Sequence, residues 1–104
     1  MPKLLTKIDL VMGIQGRGTV LCLPKEENWA IPRNEKVYRN ELIFVRTPDG
    51  GTISTRIKDI ELINRGIEKG SIAFCLPAGI QSDEIPVGSE IWLVRDGAEP
   101  VFES

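Results

Sequence analysis

One stretch, Lys7 to Leu23, does most to limit what this chain can fold into. An apolar run at Leu10–Met12 leads into Gly13, Gly16-Arg17-Gly18 follows, and a second run, Thr19 to Leu23, stops at Pro24. Glycines accept φ > 0, and Val and Thr suit a pleated surface, so this reads as strand, tight turn, strand. Such a hairpin needs further strands to bury it. In the second strand Val20 and Cys22 face one side and Thr19, Leu21 and Leu23 the other. Apolar residues on both sides predict burial on both, or a barrel with one covered wall.

The rest of the chain supplies those strands. Residues 1–6 read as a loose lead-in. The segment 24–40 breaks the pattern, with turn chemistry at Pro24-Lys25-Glu26-Glu27-Asn28 and again at Pro32-Arg33-Asn34. Trp29 lies between the two prolines. It is expected to fold back and cap the core, the rival being an exposed aromatic contact. Leu42-Ile43-Phe44-Val45 is a short apolar run, hence a central strand. Thr47-Pro48-Asp49-Gly50-Gly51 is a hairpin signal. Ile53, Thr55 and Ile57 then keep period two, but Ile60 and Leu62 have the other parity. A one-residue slip turns a strand over, which places a bulge or bend near Lys58-Asp59. Such a bend lets one long strand serve two sides of a barrel. Asn64 to Gly70 reads as a turn-rich link and Ile72 to Leu76 as a strand. Ser82 is the expected cap of a single helical turn, and Glu90 to Val94 is the last strand. Residues 96–104 read as a frayed tail.

About six short strands with Gly and Pro turns, and no amphipathic helix, predict a single all-β domain. The expected fold is a six-stranded antiparallel closed β-barrel, with its core over about residues 7–95.

Composition narrows function. The formal charge of −2 argues against a domain-wide grip on nucleic acid, though Arg33, Lys36 and Arg39 form a local basic cluster. The chain has no histidine, the commonest general base and metal ligand, and two cysteines cannot make a four-cysteine zinc site. Cys22 and Cys75 lack a histidine to activate them and are expected to pack as small apolar residues. Neither an enzyme nor a metal or cofactor protein is expected. No apolar run approaches a membrane span and no signal-peptide core is visible, so a cytoplasmic location is expected.

Four phrases occur in a suggestive order: Ile8-Asp9-Leu10-Val11-Met12-Gly13-Ile14-Gln15-Gly16-Arg17-Gly18-Thr19-Val20-Leu21, Asn40-Glu41-Leu42-Ile43-Phe44-Val45, Ile57-Lys58-Asp59-Ile60-Glu61-Leu62, and Ala73-Phe74-Cys75-Leu76-Pro77-Ala78-Gly79-Ile80 with Asp83-Glu84-Ile85 and Gly88. In that order they resemble domain 2 of elongation factor Tu and its translational GTPase relatives, over about residues 7–94. The resemblance implies a six-stranded barrel and a binding module with a translation- or RNA-related partner. It implies that Glu61 matches a glutamate near the terminal adenosine of transfer RNA, and that Arg17 is retained in the glycine turn. The other positions around that adenosine are occupied here by Met12, Cys22 and Asn64. The phosphate-cradling loop G-x-x-x-x-G-K-[ST] of a GTPase does not occur, so no nucleotide turnover is expected. The alternative is a small regulatory or structural protein that binds another protein through residues 24–40, with Trp29, Trp92 and Phe102 as candidate anchors.

Overall fold

A computed structural model describes residues 2–15, 18–32, 35–65 and 68–94, with the side chains of 63–65 and 68–70 left aside. Arg17, Arg33, Phe102 and the expected frayed tail therefore lie outside the described residues. The strands are β1 (Lys3–Lys7), β2 (Leu10–Ile14), β3 (Gly18–Cys22), β4 (Leu42–Arg46), β5 (Thr52–Arg56), β6 (Asp59–Arg65), β7 (Glu68–Cys75) and β8 (Glu90–Leu93). They form two four-stranded antiparallel sheets, ordered β1-β8-β4-β5 and β2-β3-β7-β6. The only helical pieces among the described residues are single 3₁₀ turns at Glu26–Asn28 and Ser82–Glu84.

The chain is all-β, as expected, but among the described residues its ladders form two four-stranded sheets, eight strands in all, and not the six expected of a closed barrel. The extra strands have two origins. Residues 3–7, all but Lys7 from the expected lead-in 1–6, pair with β8, with Lys3 opposite Leu93. A partner so distant in sequence leaves no local turn or period signal to read. The second origin is the bend expected near Lys58-Asp59. It divides one long run into β5, in the first sheet, and β6, in the second. At this corner Ile57 N–H donates to Glu41 O (3.0 Å) and Lys58 N–H to Cys75 O (2.8 Å). The passage from β1 to β2 is built alike: Ile8 N–H donates to Ser89 O (2.8 Å) and Asp9 N–H to Cys22 O (2.9 Å).

Two smaller expectations need correction. Pairing of β6 with β7 runs on to Arg65 and Glu68, so most of the expected link is strand. A ladder consumes backbone groups only, so polar side chains do not stop it. The helical turn at 82–84 starts from Gln81 rather than Ser82, and the Glu84 carboxylate accepts the Gln81 N–H at 3.2 Å.

The core lies between the sheets. Leu5, Leu21, Leu23, Ile43, Val45, Ile57, Phe74, Leu76, Ile91 and Leu93 are at most 1% exposed and belong to one cluster. A second, smaller cluster of Val20, Ala73 and Cys75, with Met12 and Ile14 against it, covers the other side of β3 and β7. The two-sided apolar reading of 19–23 is therefore correct, and both cysteines are buried. Burying a Leu, Ile or Phe side chain is worth about 1.5–3 kcal/mol, so the alternation along β4 and β8 fixes which way those strands face.

The β4–β5 turn forms where Pro-Asp-Gly-Gly places it. Gly50 has φ +96°, and Thr47 N–H donates to Gly51 O at 2.9 Å. The Asp49 carboxylate accepts the Thr47 hydroxyl and, at 3.3 Å, the Gly51 N–H. The Thr47 hydroxyl first, and then the Gly51 amide, hold the Asp49 carboxyl below its usual 3.8. A carboxylate whose folded pKa is depressed contributes stability above its unfolded pKa and loses it as pH falls through the folded value. Asp49→Asn is accordingly expected to cost stability at neutral pH. Denaturant midpoints measured down through pH 4 and below should show the gap between parent and variant closing.

Candidate functional site

Between β3 and β4, the described residues 24–32 and 35–41 lay Trp29, Ile31 and Val37 against the core cluster. Trp29 is half-buried, and its Nε1–H donates to Pro24 O at 2.9 Å. Its ring meets Phe74 edge-on, with centroids 6.3 Å apart and planes at 70°. Ile31 and Val37 pack against the same cluster. Ala30 N–H donates to Leu5 O at 2.7 Å, which ties the segment to the edge of β1. Trp29 therefore caps the core. The segment returns through Asn40, whose φ of 68° lies in the left-handed region that asparagine tolerates. A cleft of about 110 Å³ remains under the cap, lined by Glu26, Trp29, Glu35, Lys36, Val37, Ile60, Ile72 and Phe74.

The basic cluster is only partly on view. Lys36 is exposed on the rim of that cleft. Arg39 Nε lies 3.3 Å from Asp59 Oδ1, with 67% of its side chain exposed. Lys3 binds Glu35 at 2.9 Å on the same side of the molecule. The segment thus mixes signs, and its exposed ion pairs are worth about 0–1 kcal/mol each.

Glu61 is half-buried on β6, opposite Ala73, which is opposite Cys22. Met12 is opposite Val20 one row further on. Three of the positions that the resemblance groups around an adenosine, Glu61, Cys22 and Met12, therefore share one face of the second sheet. Cys22 and Ala73 are 0% exposed, so the middle of that face is closed to solvent.

A further group escapes reading from the sequence. On β4, Ile43 and Val45 point inward, which leaves Leu42, Phe44 and Arg46 outside; on β8, Ile91 and Leu93 point inward, which leaves Glu90 and Trp92 outside. Phe44 and Trp92 are opposite each other and stack, with centroids 5.8 Å apart and planes 5° apart. The Arg46 guanidinium lies 5.5 Å from the Trp92 ring centre, and Trp92 Nε1–H donates to Glu90 Oε1 at 3.0 Å. Reading 42–45 as one continuous apolar run hides Phe44 among core residues. Trp92 is legible only as one of three candidate anchors, with nothing to pair it with Phe44.

No protein-family model matches the chain, and no curated protein does either. Among the described residues no group of His, Cys, Asp and Glu is arranged to hold a metal ion, and no helix is long and apolar enough to cross a membrane.

Proposed function

We propose that the chain is a non-catalytic binding module of the elongation factor Tu domain 2 type, with RNA as its partner, and that its two sheets are halves of one six-stranded barrel. The observation that carries this is the pair of corners. Counted through Ile8-Asp9 and Ile57-Lys58, β1 with β2 and β5 with β6 are single strands, and the neighbours then run in a ring: β1/β2, β8, β4, β5/β6, β7, β3. Six strands in that ring support the relationship drawn from the order of the four phrases. Binding by a protein partner at 24–40 is the weaker reading, because its best anchor, Trp29, is turned onto Phe74.

The test is recovery of the chain from its native cell at low salt, with bound RNA and protein both identified. RNA should be recovered and should be lost as salt rises, because phosphate contacts release counterions. Replacing Arg33, Lys36 and Arg39 together by Gln should reduce that RNA while leaving the melting temperature close to the parent's. Recovery of a protein alone, indifferent to nuclease, would overturn the reading.

A further inference from the structure

We infer that the outer face of the sheet β1-β8-β4-β5 is a stacking platform for unpaired bases of single-stranded RNA. This rests on the RNA-binding reading above, and names a site on the opposite sheet from Glu61.

The face is built in rows. One row runs Leu4, Trp92, Phe44, Ser54, and the next runs Lys7, Glu90, Arg46, Thr52. Beyond the first row, on its other side, Leu42 is opposite Arg56. The two parallel rings thus sit at the middle of the sheet, with Arg46 at one end of β4 and Arg56 beside the other. The two cations are about 13 Å apart along the strand direction, at about 3.3 Å per residue. Next to Phe44 in its row comes Ser54, whose side chain is too short to cover the ring. A base can therefore extend the stack from Phe44 over Ser54.

Charge chooses the occupant. Lys7, Arg46 and Arg56 are all exposed on this face, in a chain whose formal charge is −2. The one carboxylate in these rows, Glu90, lies between Lys7 and Arg46 and accepts the Trp92 indole N–H, which leaves the three cations in excess. Stacked rings flanked by guanidinium groups meet the two demands of a single strand, a π-surface for the bases and cations for the phosphates. Leu42 (48% exposed) and Val94 (47% exposed) widen the apolar centre. That feature would also suit a protein, so a protein occupant is an outcome of the test.

Fluorescence anisotropy with end-labelled oligo(A), oligo(U) and an RNA duplex reads the site directly. The full chain should bind both single strands, oligo(A) more tightly because purines stack better, and should bind the duplex least. With three cations on phosphates, log K should fall against log salt with a slope of about −2. Phe44→Leu should weaken binding about tenfold or more, the loss expected for one stacked base, and Trp92→Leu, which removes the ring behind Phe44, should weaken it less. Arg56→Gln, which is not against either ring, should mainly flatten the salt slope, by about 0.7. Circular dichroism melts of each variant separate lost binding from lost folding. If the single strands bind parent and variants equally, while the Arg33, Lys36 and Arg39 triple variant fails, the platform is refuted and the RNA-binding reading stands. If no RNA binds the parent, both fall. Self-association of the chain that Leu42→Glu abolishes would assign this face to a protein contact and refute the platform.

Discussion

Phe74→Ala is expected to lower the stability by about 4 kcal/mol, and Trp29→Ala by about 3 kcal/mol, in denaturant melts at neutral pH. Phe74 is fully buried on the inner face of β7 and opposite Ile60, so its removal leaves a cavity that neither sheet can close. Trp29 is only half-buried, but it covers Phe74 and carries a hydrogen bond to Pro24 O that Ala cannot make. The two rings touch edge-on, a contact worth about 0.5–1.5 kcal/mol beyond the area buried. The double variant should therefore lose less than the sum of the single losses, by about 1 kcal/mol. Against a total of about 5–15 kcal/mol for an ordinary domain, either single change is a large fraction. A loss of about 0.5 kcal/mol or less for Trp29→Ala would mean that the ring does not cap the core. The protein-binding reading of residues 24–40 would then regain its anchor.

Lys58→Pro should cost about 2–3 kcal/mol, while Lys58→Ala should change little. The Lys58 side chain is exposed, so nearly all the effect belongs to its backbone. Its N–H donates to Cys75 O at 2.8 Å, and Cys75 is 5% exposed, so proline would leave a carbonyl in the interior without that donor. Proline also biases the preceding residue, and here that is Ile57, which is fully buried and makes the other corner hydrogen bonds. A melt of Lys58→Pro that matched Lys58→Ala would show that the corner does not hold the two sheets together.

Features carried by neighbouring residues could be read from the chain. The turn at Thr47–Gly51, the burial of both cysteines and the change of parity between Ile57 and Ile60 all depend on short-range patterns. So does the inward turn of Trp29, which sits between Pro24 and Pro32. Features that depend on distant partners could not. Lys3-Leu4-Leu5-Thr6-Lys7 becomes a strand because β8 is there to pair with it. Phe44 and Trp92 become a stack because β4 and β8 are neighbours, and neither residue's own surroundings in the sequence say so. The basic cluster at Arg33, Lys36 and Arg39 is legible as three cations in seven residues, but not that Asp59, from the far side of the corner, sits against Arg39.

The pairing of β1 with β8 also bears on how the chain acquires its shape during synthesis. Every strand of the sheet β2-β3-β7-β6 has been made once Cys75 is reached. The other sheet has β8 between β1 and β4, so it lacks its middle until Glu90–Leu93 has left the ribosome. Contacts that close such long loops are costly in entropy and slow to form. A chain halted before β8 would hold a nearly finished half, with the inward residues of β1, β4 and β5 still in search of a common strand. The arrival of β8 decides when β1 becomes ordered.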